Sequence, residues 1–251
     1  MGDHVNGSGI RPLRCRHVIV AVPALNEAMT IETCLASIEA AALQVRVPVT
    51  VSLAADSCTD DTADRARAAP LQKTRLVVIE GTWGRAGAAR AAAVAHALGR
   101  FPRPDPIWIA NTDADCLVPT SWLVRQLALR ESVAAAAGTV ALDPTTPPRL
   151  LSAFRHTYRT DGDRHQHVHG ANLGVSADAY LAVGGWCPTT VVGEDHGLWN
   201  AIRGGGFVVA QTTALTVTTS ARTVGRVEGG FATDLSLLDH PCAADAPTVA
   251  A

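Results

Sequence analysis

A chain of 251 residues with a formal net charge of −2 and 47% apolar residues can bury a substantial core, and it lacks the basic excess of a nucleic-acid surface. No run approaches the roughly 20 apolar residues of a membrane span. The six cysteines, Cys15, Cys34, Cys58, Cys116, Cys187 and Cys242, form no CxxC pair, so neither a disulfide framework nor a structural zinc site is indicated. The opening "MGDHVNGSGIRPLRCRH" has no apolar leader segment, and Asn6 breaks the myristoylation pattern. The expectation is a cytoplasmic protein with reduced thiols, a monomer or homodimer, with no nucleic-acid partner and no transmembrane segment.

In chain order, apolar β-rich runs alternate with helical patterns. "HVIVAVP" reads as a buried strand, and "TIETCLASIEAAAL" as an amphipathic helix with Thr30 as its N-cap. "VPVTVSLAA" is a second strand, and "SCTDDTADRARAA" a helix with acids in its first turn, where the helix dipole favours them. "TRLVVIE" is a third strand, before the small-residue helix "GRAGAARAAAVAHAL". "PIWIA" is a fourth strand, followed by the helix "PTSWLVRQLALRE". This βαβαβαβα succession predicts a parallel, doubly wound sheet whose ligands sit beyond the carboxyl ends of the strands.

The second half is less regular. "AAAAGTVALD" reads as a strand, "PPRLLSAFRHTYRT" as a helix, and "HVHGANLGVS" as a strand leading into the short helix "ADAYLAVGG". "GEDHGLWNAIRGGG" is a helix stopped by glycines, "FVVAQTTALTVTT" one or two strands, and "EGGFATDLSLLDH" a final helix. Residues 1–16 are expected to be a flexible segment, 17–240 one domain, and 241–251 a frayed tail.

The fourth strand runs into "IWIANTDADCLVP", where Asp113 and Asp115 stand one residue apart. If strand geometry persists, both point the same way and repel. Either they fan into solvent in a turn or they meet a cation.

Six segments, in order, resemble the nucleotide-sugar-dependent family 2 glycosyltransferases of GT-A fold. They are "VIVAVPALNEAMTIETCLASI", "SLAADSCTDDT", "GRAGAARAAAVAHA", "IANTDADCLVPTSWL", "GANLGVSADAYLAVGGW" and "VGEDHGLWNAIRGGG". The resemblance implies an α/β GT-A fold: a Rossmann-like nucleotide-binding half at 17–118, an acceptor half at 119–240, and a mixed, mainly parallel central sheet flanked by helices. It further implies an inverting glycosyltransferase, of hexosyltransferase type, moving a sugar from a nucleoside diphosphate sugar to an acceptor hydroxyl or amine. A small soluble metabolite or natural product is the expected acceptor. UDP is favoured over GDP or dTDP on base rate.

By that resemblance Asp113 and Asp115, with Ala114 between, are the D-x-D that holds Mn²⁺ or Mg²⁺, Asp115 touching the ion more directly. Pro23, Asn26 and Glu27 match P-x-x-N-E, with Ala24 and Glu27 placed to touch the nucleoside. Asp56 matches a carboxylate that accepts a hydrogen bond from the base; Ala55 stands where the family often has a second acid, which leaves one carboxylate to specify the base. Arg85 and Arg90 either reach the nucleotide or diphosphate or belong to a solvated helix face. Asp195 is the expected base and Glu194 helps place the acceptor or donor sugar; a helix N-terminus favours charged carboxylates there. Trp186 and Trp199 flank that motif as sugar platforms or as core. Many relatives add a late histidine to the metal, but "TVTTSARTVGR" holds none, and Arg222 and Arg226 are the basic groups available to the diphosphate.

Three other readings compete. His165, His167 and His169 alternate, share one face if they lie on a strand, and would suit zinc in a hydrolase; no H-E-x-x-H accompanies them, and lining the acceptor cleft is the preferred role. A sugar-phosphate nucleotidyltransferase needs a glycine-rich basic loop after the first strand, which "VPALNE" does not supply. A non-catalytic binding domain would have its carboxylates broken, and they are intact.

Overall fold

In the computed structural model, which describes residues 14–101, 106–222 and 231–239, Val18 to Val22 are buried throughout. They lie in β1 (His17–Ala24), and their side chains alternate between two cores, as pleating dictates. Val18, Val20 and Val22 join Ile31, Cys34, Leu35 and Ile38 on one side. Ile19 and Ala21 join Ala89, Ala93 and Ala97 on the other. A strand apolar on both faces belongs inside a sheet covered on both sides. β1 sits in that position.

The covers follow from sequence spacing. α1 (Ile31–Ala42) buries Ile31, Cys34, Leu35 and Ile38 at helical intervals. α3 (Ala86–Leu98) buries Ala89, Ala93 and Ala97, a flat small-residue face that lies on β1 and on β2 (Val49–Asp56). α2 (Thr62–Ala68), β3 (Thr74–Gly81) and β4 (Ile107–Asn111) complete the half. Glu39, buried on α1, accepts from the N–H groups of Gln72, Lys73 and Thr74 at 2.8, 2.6 and 3.0 Å and from Thr74 Oγ1 at 2.6 Å. Burial opposes its charge, but these bonds outweigh that and lower its pKa.

The remaining elements are β5 (Cys116–Leu117), α4 (Trp122–Leu129), β6 (Ala135–Leu142), α5 (Pro148–Thr157), β7 (Leu173–Ser176), α6 (Ala177–Ala182), α7 (Glu194–Gly204), β8 (Val209–Thr219) and α8 (Phe231–Asp239). One eight-stranded sheet runs in the order β3-β2-β1-β4-β7-β6-β8-β5. β3, β2, β1 and β4 are parallel neighbours, as are β6 and β8. β7 runs antiparallel between β4 and β6, and β5 antiparallel to the end of β8. The mixed, mainly parallel GT-A-type sheet is therefore present, while purely parallel winding stops at β4.

Local expectations change in three places. Thr30 stands at the N-cap of α1 but its side chain accepts no capping bond; its hydroxyl instead donates to Glu27 Oε2 at 2.9 Å. α2 begins only at Thr62, because Asp60 takes the N–H groups of Ala28 and Thr62, each at 3.1 Å, and holds residues 57–61 as a loop. The strand expected from His167 forms only over Leu173–Ser176, after a 3₁₀ turn at Gly170–Asn172. No helix among the described residues is long and apolar enough to cross a membrane. Residues 1–13, Arg226, Cys242 and the tail 241–251 lie outside the described residues.

Candidate active site

The carboxyl ends of β1 and β2 carry two loops that are tied to each other. Asn26, at a left-handed φ of 53°, accepts the N–H of Thr59 at 2.7 Å through Oδ1. The Glu27 N–H donates to Thr62 Oγ1 at 2.7 Å, and Asp60 Oδ2 takes the N–H of Ala28. Asp56, buried at the end of β2, accepts from the N–H groups of Trp83 and Gly84 at 2.7 and 3.0 Å and from Ser57 Oγ at 3.0 Å, all through Oδ1. Its Oδ2 takes no hydrogen bond among the described residues.

These loops wall a cleft of about 250 Å³ that Pro23, Ala24, Glu27, Asp56, Arg85, Arg90, Asp113, Ala114, Asp115 and Arg222 help to line. It sits beyond the strand carboxyl ends, where the order reverses between β1 and β4. Every expected nucleotide-site residue lines it except Asn26, whose carboxamide holds the neighbouring loop instead. A hydrogen-bonding requirement between loops is invisible in a P-x-x-N-E spacing.

Asp113 and Asp115 do meet cations, and both are arginines. Arg90 Nη2 pairs with Asp113 Oδ1, and Arg90 Nη1 with Glu194 Oε1 at 2.7 Å. Arg90 is 3% exposed, lies over the Trp186 ring at 5.2 Å, and is a core bridge rather than part of a solvated helix face. Burial works against its charge, yet Asp113 and Glu194 outweigh burial and raise its pKa. Arg222 pairs with Asp115 Oδ2 at 2.9 Å and Glu27 Oε1 at 3.2 Å. Burial and the Asp113 charge push the Asp115 carboxyl up, and Arg222 pulls it down.

One ligand atom each from Asp113, Asp115 and Cys116 lies within 4.8 Å of the others. Cys116 is fully buried, and burial with the two aspartates pushes its thiol well up, which keeps it protonated and poor as a ligand. Among the described residues, Asp113 Oδ2 and Asp115 Oδ1 have no arginine partner. Two hard oxygens beside an open cleft fit Mg²⁺ or Mn²⁺ better than a soft metal.

A second cleft, of about 330 Å³, adjoins the first and shares Ala86, Arg90, Asp113, Thr219 and Phe231 with it. Glu194 and Asp195, in the first turn of α7, line its floor with His169, and Val191 and Val192 stand at its edge. The turn into α7 is made at Gly193 with φ 80°, a left-handed backbone that other residues adopt only under strain. Asp195 accepts from the N–H of His196 at 2.7 Å and of Gly170 at 3.2 Å. A Cβ on Gly170 would lie 2.5 Å from Arg90 Cζ, so a side chain there would push the arginine out of its bridge.

The three histidines form a ladder. His165 and His167 have ring centroids 5.8 Å apart, His167 and His169 6.0 Å, with planes within about 21° of parallel. Tyr158 stacks on His167 at 3.7 Å, and its hydroxyl meets His169 Nε2 at 2.9 Å. None of the three joins a metal-compatible group among the described residues. Burial holds the His169 pKa down to about 4, so the ring facing Asp195's cleft is neutral at pH 7. Trp186 and Trp199 are each 2% exposed and belong to the core.

Sequence reasoning missed Tyr158, Phe231 and the Trp83 and Gly84 N–H groups. Pairing of β5 with β8, Cys116 beside Thr219, also went unseen, and it is what brings Arg222 to Asp115. Only the basic character of Arg222 in "TTSAR" pointed to it.

A family model described as glycosyl transferase family 2 matches residues 19–174. Residues 1–349 of S. aureus TarS, in complex with UDP-GlcNAc, are similar with a TM-score of 0.64 and 11% identity, covering 86% of this chain and 61% of that one. Mannosyltransferase PcManGT from Pyrobaculum calidifontis, in complex with GDP-Man and Mn²⁺, gives a TM-score of 0.62 at 21% identity, covering 86% and 60%. This chain thus spans about three-fifths of either structure's length. No curated protein matches the sequence.

Proposed function

Because the chain belongs to glycosyl transferase family 2 and has the GT-A fold, we propose that it transfers a sugar, with inversion, from a nucleoside diphosphate sugar to an acceptor hydroxyl. The observation that carries this reading is the pair of adjoining clefts with Arg90 and Asp113 in their common wall. Donor and acceptor must meet at the anomeric carbon, and two clefts sharing a wall allow that.

The first cleft takes the donor. Asp56, oriented by the Trp83 and Gly84 N–H groups, offers Oδ2 to the base, and Glu27 stands beside the ribose. When bound, Mn²⁺ or Mg²⁺ supplies Lewis-acid neutralisation of the diphosphate, with Asp113 and Asp115 holding it. The second cleft takes the acceptor. Asp195 removes the proton of the attacking hydroxyl, and its bonds from Gly170 and His196 fix the carboxylate for that step. Glu194 fixes Arg90, and through it Asp113. UDP is the favoured nucleotide, and a small metabolite or natural product the favoured acceptor.

Melting temperatures with UDP, GDP and dTDP and their sugars, with and without Mn²⁺, test the donor assignment. One nucleotide should raise the transition, and more so with the metal; no shift with any of them sinks the assignment. Asp195→Asn should retain that shift while donor turnover stops. Wild-type turnover in Asp195→Asn removes Asp195 as the base.

A further inference from the structure

Arg222 stands apart from the other basic groups of the donor cleft. The chain leaves β8 beside β5, where Thr219 pairs with Cys116. Three residues later the guanidinium spans two carboxylates, Glu27 at 3.2 Å and Asp115 at 2.9 Å. Both acids are well covered, with side-chain exposures of 7% and 12%, while Arg222 is 34% exposed and lines the cleft. Its Nε is buried and has no hydrogen-bond partner among the described residues. The fork is thus engaged at its tip and unsatisfied at its stem.

Two buried acids facing one cleft repel unless something positive lies between them. A planar fork answers both at once, as a guanidinium geometrically suits. A cation on Asp115 would compete with that fork for the same carboxylate. A diphosphate in the cleft would offer the fork new anionic oxygens. Building on the nucleotide-sugar reading above, we propose that Arg222 is a resident cation of the donor cleft, standing in for the ion at Asp115. It holds Glu27 and Asp115 together before the donor enters, competes with the divalent ion for Asp115, and turns to the diphosphate when the nucleotide sugar binds.

The proposal makes ion and nucleotide interdependent, and removing the fork should move their affinities in opposite directions. Calorimetric titration of MnCl₂ alone into the full chain should give binding about tenfold tighter in Arg222→Gln than in wild type, a coupling of ordinary size. Titration of UDP, GDP and dTDP at saturating Mn²⁺ should give binding about tenfold weaker in the same variant, since the fork's contact with the diphosphate is lost. Arg222→Lys keeps one charge but cannot span both acids, and should fall between for Mn²⁺ alone; it carries the test if Arg222→Gln does not fold. A folded Arg222→Gln that binds Mn²⁺ no tighter than wild type, or that binds the nucleotide as well as wild type, overturns the proposal. A purely structural arginine would weaken both affinities, which also overturns it. Failure of every nucleoside diphosphate to bind wild type overturns the donor reading instead, and the Mn²⁺ titration still decides whether Arg222 competes with the ion.

Discussion

Around the cleft assigned to the donor, loops are tied by side chain to backbone: Asn26 to Thr59, Asp60 to Ala28, Thr62 to Glu27, Asp56 to Trp83 and Gly84. Around the cleft assigned to the acceptor, Val191 and Val192 are 56% and 48% exposed, and α7 starts from a glycine in the left-handed region. A nucleoside diphosphate presents constant hydrogen-bonding groups, and a site built for it gains from loops fixed beforehand. The second cleft has fixed polar groups on its floor, Asp195 held by Gly170 and His196 among them, but its rim is apolar and exposed. Arg90 joins the two sides, with Asp113 on one and Glu194 on the other.

The sharpest way to break that contrast is to remove the bridge. Arg90→Ala should cost about 3 kcal/mol in urea unfolding, the lower end for breaking a buried ion pair because Asp113 is 33% exposed. It should also weaken function on both sides at once, measured as donor affinity and turnover. A loss confined to one side would show that the clefts are not coupled through Arg90.

Glu39 lines neither cleft and pins the amino-terminal end of β3, so it tests the packing beneath the β1–β3 side without touching either cleft. Glu39→Gln should lower stability by about 2 kcal/mol, since one carboxamide oxygen replaces a carboxylate that accepts four bonds. Its folded pKa lies below the ordinary value, so its charge stabilises the fold fully above the unfolded pKa of about 4.3. As pH falls through the lowered folded value, wild-type and Glu39→Gln urea midpoints should converge. A gap that persists at acid pH would mean packing rather than charge is responsible.

Asn26→Ala should cost about 1 kcal/mol and weaken nucleotide binding with little effect on turnover of bound donor. Hydrogen exchange at Thr59 would report the loosened loop. Smallest of all, Val192→Ser should change stability by less than about 0.5 kcal/mol and alter acceptor KM without touching nucleotide affinity. A change in nucleotide affinity there would erase the distinction between the two sides.

Much of the donor side was legible because it is written in local terms. The apolar runs of β1 and β2, the helical spacing of α1 and the small face of α3 depend on neighbours within a turn or a pleat. Asp56 is the last residue of β2, and Asp113 and Asp115 lie within four residues of the end of β4, so their place at the sheet's carboxyl end came with the alternation. Asn26 was legible as a polar residue of that end but not as a clamp, because its partners lie more than thirty residues away. The histidines were legible as a row with a shared direction, but the stretch His165 to His169 is not a strand, and its rings stack with Tyr158 rather than converge.

Residue pattern by itself determined the alternation of strands and helices, the carboxylates at the strand ends and the acidic first turn of α7. Tertiary structure alone decided what those carboxylates meet. Arg90 and Glu194 are 104 positions apart, and Arg222 and Glu27 are 195 apart. Periodicity reports which way a side chain points, but charge pairing depends on which segments the sheet order brings within a few ångströms. That order puts β7 antiparallel beside β4 and β5 against β8, and so gives each aspartate of the "NTDADC" turn an arginine of its own.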